Sequence, residues 1–260
     1  MSMPLVSVII PCYNQGQFLA ESIGSVQASD VDDYEIIVVD DGSTDPETCR
    51  ILDRLTYPRT RLVKRQNGGL AAARNSGIGE AKGQYILPLD ADDRISPQYL
   101  SQAVAVLEAD RSVGIVYCRA ERFGAESGPW RLPRFSRWRM ALGNLIFCSA
   151  LFRRADWALV GGYDEALRRG WEDWDFWLSL LEQGRTVRCL ELTGFYYRKN
   201  QTSMAAGMDW RVKLELHQGL IHRHGCFFGS WASRLASVLP LYYRLADSNG
   251  YRAIKKGSGH

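Results

Sequence analysis

Short apolar runs alternate with longer amphipathic segments along the first 120 residues. Runs rich in β-branched residues predict buried strands over 5–10, 34–39, 84–89 and 113–118, with a further strand over 61–65. Apolar residues at helical spacing predict helices over 15–27, from about residue 46, over 69–82 and over 97–109. This alternation predicts an α/β fold with a mostly parallel central sheet flanked by helices.

Local signals predict where some of these elements begin and end. Pro11 follows the first apolar run and predicts its end. Asp45 suits the N-cap of a helix and Pro46 its first position. After residue 119 the pattern is irregular, and it predicts a helix over 170–183, strands over 187–192 and 194–198, and helical structure in the last 50 residues. We therefore expect one domain over 1–205 and a helical, basic appendage over 206–260, whose last residues, KKGSGH, resemble a linker and tag.

Composition narrows the class of protein. The chain has 260 residues, of which 46% are hydrophobic and 23% charged, as in ordinary globular proteins. The net charge of +3 does not favour nucleic-acid binding; the excess lies in 209–260, with eight Lys and Arg against three Asp and Glu. No stretch of about 18 apolar residues predicts a membrane span. Six scattered cysteines without a CxxC pair, and no apolar secretion signal, lead us to expect reduced thiols in the cytoplasm.

Two acidic clusters follow predicted strands. Asp40 and Asp41 end the second strand, and the motif Asp90-Ala91-Asp92-Asp93 ends the fourth. In parallel sheets ligands bind beyond the carboxyl ends of the strands, so both clusters should border one crevice. Carboxylates are the ligands that Mg²⁺ and Mn²⁺ prefer, and a cation would offset the repulsion among them. The alternative for each cluster is a solvated turn, with Asp93 helping to cap the helix that follows.

A third acidic cluster lies in the segment WEDWDFW, residues 171–177. Glu172 and Asp173 in the first turn of a helix are favoured by the helix dipole alone, and the tryptophans at positions three apart are typical of core packing. An apolar, aromatic setting also raises the pKa of a carboxylate toward neutrality, as a general base requires. Structural and catalytic interpretations both stay open on the pattern alone.

Several other motifs are excluded. The segment 77–83 has the spacing GxGxxxG and closes a helix, so it does not predict a dinucleotide site. The chain has no P-loop and no GxSxG elbow, and its histidines have no partners at zinc-ligand spacing. Five arginines lie among aromatic residues over 122–139, and both this stretch and the basic tail are typical of solvated surface.

Taken together, the motifs resemble glycosyltransferase family 2, whose GT-A fold has a Rossmann-like central sheet. The resemblance extends over about residues 5–205, in the order and spacing of the family. It rests on the segments VSVIIPCYN (6–14), EIIVVDDGSTD (35–45), NGGLAAARNSGIGEAKGQYILPLDADD (67–93), GGYDEAL (161–167) and WEDWDFW (171–177). It implies a nucleotide-sugar-binding half over about 1–118 and an acceptor-binding half with the catalytic base over about 119–205.

The resemblance also implies roles for single residues. Base, ribose and nucleotide contacts fall to Pro11, Tyr13, Asn14, Asp40, Asp41 and Arg74. The DxD motif, here Asp90, Ala91 and Asp92, would hold the donor diphosphate and a divalent Mn²⁺ or Mg²⁺, with Asp93 as an additional candidate ligand. The catalytic base would be Asp173, with Glu172 beside it.

The implied reaction transfers a single sugar with inversion of the anomeric carbon. Asp173 would deprotonate an acceptor hydroxyl, which displaces the nucleoside diphosphate. We expect a UDP-linked donor and a sugar or lipid-linked acceptor, in polysaccharide, cell-envelope or glycoconjugate synthesis. The QxxRW motif of processive members does not follow the base. Asn200 stands where many members place a metal-facing histidine, and Ser203 is a candidate nearby.

Two other functions remain alternatives. A catalytically inactive nucleotide-sugar binding module would bind UDP with Mn²⁺ but show no turnover that depends on Asp173. A nucleotidyltransferase would use a nucleoside triphosphate and release pyrophosphate. The cationic, amphipathic tail adds the hypothesis of peripheral contact with an anionic membrane surface.

Overall fold

The computed structural model describes residues 3–199 and 208–257 of the chain, with side chains described to residue 245 in the last helix. Asn200, Ser203 and residues 258–260 lie outside the described residues. The chain divides into two compact units, one within Met1–Gln201 and one within Thr202–His260. All six cysteines are free thiols.

The first part of unit 1 is a parallel sheet with helices between its strands. Its strands are β1 (Val6–Cys12), β2 (Tyr34–Asp40), β3 (Thr60–Lys64) and β4 (Tyr85–Pro88), in the spatial order β3-β2-β1-β4. Its helices are α1 (Gly16–Gln27), α2 (Pro46–Asp53), α3 (Leu70–Glu80) and α4 (Tyr99–Ala109). β1 and β2 are buried along nearly their whole length, which agrees with their apolar, β-branched sequences. The strands and helices predicted in this part are confirmed, with ends shifted by a few residues.

The second part of unit 1 extends the same sheet with mixed strand directions. Its elements are β5 (Arg94–Ile95), β6 (Val113–Gly124), β7 (Gly128–Trp130), α5 (Arg137–Met140), β8 (Leu151–Arg153), α6 (Arg154–Val160), α7 (Glu172–Glu182) and β9 (Thr186–Lys199). The sheet order is β3-β2-β1-β4-β8-β6-β9-β5, with β7 paired to β6. β6 and β9 run parallel, whereas β8 is antiparallel to both of its neighbours. The sheet is therefore parallel where the sequence is regular and mixed beyond that.

Three local expectations differ from the structure. The two strands predicted over 187–192 and 194–198 form one strand, β9, whose register against β6 shifts between Cys118 and Ala120. β6 continues to Gly124, six residues beyond its predicted end, because β9 pairs with it along that length. Pro11 lies inside β1 and does not end it. Pairing of β1 with β4 stops at Ile9, so the absent N–H of Pro11 leaves no bond to β4 unmade.

Local sequence explains where α2 begins and how closely α3 packs on the sheet. Asp45 caps α2, because its carboxylate accepts a hydrogen bond from the Thr48 amide at 2.8 Å, as predicted. α3 packs closely on the sheet through small residues. A Cβ atom on Gly77 would lie 2.5 Å from the Cγ2 atom of Ile9, so only glycine permits this approach.

Unit 2 is helical, with α8 (Trp210–Arg223), α9 (Gly225–Phe228), a 3₁₀ turn over Gly229–Trp231 and α10 (Ala232–Gly257). The ring of His217 on α8 is buried and forms a 2.9 Å hydrogen bond with the hydroxyl of Tyr243 on α10. α10 exposes an apolar stripe that includes Val238, Leu241 and Leu245. No helix in the described part of the chain is both long enough and apolar enough to cross a membrane.

Candidate active site

The loops after β1 and β2 are tied together by Asn14. This residue adopts a left-handed backbone conformation with φ of 54°. Its side-chain Oδ1 accepts hydrogen bonds from the amides of Thr44 and Asp45 at 2.8 and 2.9 Å. Pro11 is buried in β1, and Tyr13 is 46% exposed at the same edge of the sheet. The exposed ring of Tyr13 is thus the accessible group of this loop.

The acidic pair at the end of β2 is largely engaged within the protein. Asp40 Oδ1 accepts a hydrogen bond from the Ser43 amide at 2.8 Å and so shapes the turn. Asp41 is buried and accepts hydrogen bonds from the amides of Gly68 and Gly69 at 3.0 and 2.8 Å, besides pairing with Arg65. Asp41 therefore holds the loop before α3 in place. The predicted nucleotide contacts of both residues stay predictions.

Arg74 joins three elements of the fold at the acidic centre. We use this name for the carboxylates of Asp90, Asp92, Asp93, Glu172 and Asp173. The side chain of Arg74, on α3, is only 1% exposed. One guanidinium nitrogen lies 2.8 Å from Asp90 Oδ1 after β4, and another lies 2.6 Å from Glu172 Oε1 at the start of α7. The family resemblance predicts that Arg74 contacts the nucleotide, and this contact stays a prediction. The structure shows that its guanidinium connects the DxD motif to the helix that carries the candidate base.

The four residues of the Asp90–Asp93 motif occupy different environments. Asp90 Oδ2 faces the thiol of Cys148 at 3.4 Å, Ala91 is buried, and Asp92 is half-buried. Asp93 is fully buried, and its Oδ1 accepts a hydrogen bond from the Arg198 amide at 2.8 Å. Burial, and then the charges of Asp90 and Asp92, raise the pKa of Asp93 well above its usual value. The interpretation of this motif as a solvated turn is wrong, and so is the cap role, because no side chain caps α4.

Asp173 and Glu172 open α7, and their environments differ. Glu172 is bound to Arg74, whereas Asp173 forms no ion pair with any described residue. The Asn144 amide donates a 2.9 Å hydrogen bond to Asp173 Oδ2, and the Trp174 amide donates a 2.7 Å bond to Oδ1. Burial, and then the charge of Glu172, raise the pKa of Asp173 to about 7. Asp173 thus has the protonation equilibrium that a general base needs near neutral pH.

Trp171 precedes this pair and adopts a left-handed conformation with φ of 70°. Such a backbone is rare for a bulky residue and costs about 1–3 kcal/mol. The ring of Trp171 packs 5.0 Å from that of Trp174, which is buried. This packing offsets part of the cost and sets the direction in which α7 begins. The tryptophans therefore have the packing role considered above, and beside them Asp173 has the environment of a base.

The sequence of residues 7–162 matches the family described as glycosyl transferase family 2. The chain belongs to glycosyl transferase family 2. The resemblance found in the motifs is thereby confirmed, although the profile ends before α7 and does not include Asp173.

Relatives of the chain agree with this assignment. The chain is 30% identical to the hyaluronan synthase of Pasteurella multocida over 189 residues, which are 70% of this chain and 19% of that protein. It is 29% identical to the uncharacterized glycosyltransferase EpsJ of Bacillus subtilis over 78% of this chain and 63% of EpsJ. The chain spans about a fifth of the length of the Pasteurella synthase.

Structural comparison supports the fold. The S. aureus protein TarS, residues 1–349, solved in complex with UDP-GlcNAc, superimposes with a TM-score of 0.69 at 21% identity, over 84% of this chain and 66% of TarS. The same protein was solved with UDP. Together with the family match, this superposition confirms the predicted GT-A fold.

The carboxylates of the DxD motif and of Asp93 fit a divalent cation that is held jointly with a substrate. In residues 3–199 and 208–245 no three His, Cys, Asp or Glu side chains converge as a metal cage. Mg²⁺ is commonly bound by one or two carboxylates together with substrate phosphates, so a cage is not required. The half-buried carboxylate of Asp92 suits that role, and Asp93 Oδ2 is buried without a hydrogen-bond partner.

Three contributors to the site were missed by sequence analysis. Asn144 contacts the candidate base, and Cys148 contacts the DxD motif. Arg198 donates from its side chain to the Asp92 carbonyl at 2.9 Å, besides the bond from its amide to Asp93. These residues come from an irregular segment and from the end of β9, where no motif marks them. Asn144 and Cys148 flank the apolar residues 145–147, and these flanking polar groups were the available signal.

Proposed function

We propose that this chain is the catalytic domain of a metal-dependent, inverting glycosyltransferase that moves a single sugar from a UDP-linked donor to an acceptor hydroxyl. The observation that carries the proposal is the environment of Asp173. Its carboxylate forms no ion pair with the described residues, and its pKa is raised to about 7. Its neighbour Glu172 pairs with Arg74, which also pairs with Asp90 of the DxD motif. A carboxylate of raised pKa accepts a proton from a hydroxyl when the hydroxyl attacks.

The donor side of the site supports the same proposal. Tyr13 offers an exposed ring for a nucleotide base, and Asn14 and Asp40 shape the loop beside it. Asp92, with Asp90 and Asp93 around it, would hold Mn²⁺ or Mg²⁺ against the diphosphate. Such a cation stabilises the negative charge that builds on a departing nucleoside diphosphate. The UDP and UDP-GlcNAc complexes of TarS favour UDP as the nucleotide.

The acceptor side would work through Asp173. At pH values above its pKa the carboxylate is ionised and takes the proton of the acceptor hydroxyl. The hydroxyl oxygen then attacks the anomeric carbon from the face opposite the leaving group, which inverts the configuration. Asn144 orients the carboxylate through its 2.9 Å hydrogen bond. Glu172 is held by Arg74 and therefore positions α7 against the DxD motif; it is not the base.

The two alternatives make different predictions from these residues. A nucleotidyltransferase has no need for a base of raised pKa on α7. An inactive binding module would keep the donor groups but gain nothing from a carboxylate of raised pKa at Asp173. The family match and the state of Asp173 both favour transfer of a sugar.

A thermal-shift panel tests the proposal. UDP, GDP, CDP and dTDP are each added with and without Mn²⁺ to the protein and to Asp92→Ala and Asp173→Asn. A ligand at about 100 times its Kd adds about 2.7 kcal/mol of stability. We expect stabilisation by UDP that requires Mn²⁺ and is lost in Asp92→Ala. Asp173→Asn should keep the stabilisation and lose turnover of UDP-sugars. Turnover that survives in Asp173→Asn would refute the role of the base.

The membrane hypothesis concerns unit 2 only. On α10 the exposed apolar stripe of Val238, Leu241 and Leu245 is accompanied by exposed Arg234 and Arg244. We propose that this helix holds a cytoplasmic enzyme at an anionic membrane surface, where a lipid-linked acceptor would be found. Flotation with phosphatidylglycerol vesicles should recover the protein at low salt, and Leu241→Ser/Leu245→Ser should not float. Equal recovery on neutral phosphatidylcholine vesicles would contradict the electrostatic part.

A further inference from the structure

A second concave site lies in unit 1, formed by other residues than the acidic centre. It is a cavity of about 750 Å³, a volume typical of small-ligand sites. Its floor is formed by β6 and β9, and its wall by residues 129–135, which include the end of β7 and the segment after it. None of the residues predicted for the donor or the base lines this cavity. The arginine-rich stretch left as solvated surface by the sequence forms part of it.

The cavity carries an excess of positive charge. Four arginines and two glutamates line it; the arginines are Arg119, Arg131, Arg134 and Arg188. Arg119 is paired with Glu191. Arg131 and Arg134 form no ion pair with any carboxylate in the described part of the chain, and both are exposed. These two guanidinium groups are therefore available to an anion in the cavity.

Trp130 connects the cavity to the acidic centre. It lines the cavity, is half-buried, and packs with its ring centroid 5.0 Å from that of Tyr197. Burial, and then the charges of Asp93, Asp90 and Asp92, raise the pKa of Tyr197 to about 12. The residue after Tyr197, Arg198, donates from its amide to Asp93 and from its side chain to the Asp92 carbonyl, which places this end of β9 at the DxD motif. Trp130, which precedes Arg131 in the cavity wall, is therefore one ring contact away from the part of β9 that contacts the DxD motif.

A second set of contacts leads in the same direction. Tyr117 lines the cavity and packs edge-on against Phe147, with ring centroids 5.9 Å apart. Cys148, the residue after Phe147, contacts Asp90. Asn144, in the same segment, contacts Asp173. The segment 144–148 thus touches an aromatic residue of the cavity, Asp90 of the DxD motif and the candidate base Asp173.

We infer that this cavity binds the negatively charged part of the acceptor, a saccharide that carries carboxylate or phosphate groups. The guanidinium groups of Arg131 and Arg134 suit such groups because a planar fork donates two parallel hydrogen bonds to carboxylate or phosphate oxygens. Aromatic side chains such as Trp130 supply the apolar surface typical of ligand pockets. The inference rests on the proposed function, since it names the class of acceptor for that reaction.

Cys189 provides a direct reporter of occupancy. It is exposed and lines the cavity, whereas Cys226 is exposed in unit 2 and serves as the internal control. Alkylation by the uncharged reagent iodoacetamide is followed at both cysteines by peptide mass spectrometry. The probes are hexagalacturonate, pentamannose 6-phosphate, neutral pentamannose and inorganic polyphosphate. A probe at about ten times its Kd should slow alkylation of Cys189 about tenfold and leave Cys226 unchanged.

Matched variants separate specific binding from general charge. Arg131→Gln/Arg134→Gln removes the two guanidinium groups that form no ion pair with the described residues. Arg50→Gln/Arg54→Gln removes the same charge from two exposed residues at the C-terminal end of α2. We expect the first variant to bind the anionic saccharide at least tenfold more weakly. The second should bind as the unchanged protein does. Trp130→Ala should weaken the binding of the anionic saccharides but not any binding of polyphosphate. Thermal melting checks that each variant is folded.

Each outcome has a defined meaning. Protection of Cys189 by both anionic saccharides, or by one of them, supports the inference and in the second case identifies the anion. Equal protection by neutral pentamannose, or by polyphosphate, overturns it. No protection by any probe overturns it as well, and leaves the proposed function standing if UDP with Mn²⁺ still stabilises the protein. Loss of that UDP response would instead refute the proposed function.

Discussion

The hydrogen bond between Asn144 and Asp173 allows the role of the base to be tested by a change in pH dependence. The Asn144 amide nitrogen lies 2.9 Å from Asp173 Oδ2 and donates to it. A donor of this kind stabilises the ionised carboxylate and lowers its pKa, although burial and Glu172 still hold that pKa at about 7. Replacing the amide in Asn144→Ala should therefore raise the pKa of Asp173 further.

The size of the shift follows from the strength of the bond. A neutral donor on a carboxylate contributes about 1.5 kcal/mol, and about 1.4 kcal/mol corresponds to one pKa unit. The rising limb of the pH–activity profile, which follows the pKa of the base, should therefore move upward by about one pH unit. Because the base acts only when it is ionised, activity rises with pH through this pKa and levels off above it. At pH 6 the variant should be slower by about tenfold, and at pH 9.5 the two rates should nearly converge.

The assay is kcat/KM for transfer from a UDP-sugar, measured between pH 5.5 and 9.5. Asn75→Ala is the control, because the Asn75 amide also makes several hydrogen bonds but contacts Tyr163 and Trp157 and no candidate catalytic carboxylate. We expect the control to lose stability without moving the limb. A limb that stays at the same pH in Asn144→Ala, or moves to lower pH, would refute the assignment of Asp173 as the base.

Further predictions concern stability. Burial raises the pKa of Asp173 from 3.8 to about 7 in the folded state, so the stabilisation from its protonation is full below pH 3.8, falls as pH rises and is lost above pH 7. Asp173→Asn should therefore be more stable than the unchanged protein at pH 8, by about 2–4 kcal/mol, with the gap closing toward pH 4 in urea titrations. A gap that does not vary with pH would contradict this. Arg74→Met leaves Asp90 and Glu172 without their shared partner and should lower the free energy of unfolding in urea by about 3–5 kcal/mol. A decrease of less than about 1 kcal/mol would show that these ion pairs do not stabilise the fold. Gly77→Ala forces a Cβ atom to 2.5 Å from an isoleucine methyl group and should lower stability by about 1–3 kcal/mol, and an unchanged melting temperature would mean that the sheet yields there.

The regular half of the fold could be predicted because its signals are local. β1 and β2 are apolar and β-branched, and the Asp45-Pro46 pair specifies the start of α2 through one cap and one fixed φ angle. Parallel pairing then follows from the helices between the strands. The extension of β6 to Gly124 and the union of two predicted strands in β9 depend on their pairing with each other over about 70 residues of sequence separation, which no local pattern contains.

The candidate site shows the same limit at the level of side chains. Motifs identified the acidic residues, since carboxylates at strand ends and helix starts stand out in an apolar sequence. Motifs could not show that Asp41 is used to hold the loop before α3, or that Arg74 is buried between Asp90 and Glu172. Those assignments depend on which atoms the folded chain brings within hydrogen-bond distance.

By itself, then, the sequence determined the parallel αβ half, the family and the identity of the acidic residues, because composition, spacing and caps act over a few residues. Only the tertiary structure decided which of two neighbouring carboxylates pairs with an arginine. Glu172 and Asp173 are neighbours with nearly the same chemistry, yet Arg74 on α3 binds the first, and burial raises the pKa of the second to about 7. Charge pairing and desolvation depend on distances between elements far apart in the chain, and these distances exist only in the folded protein.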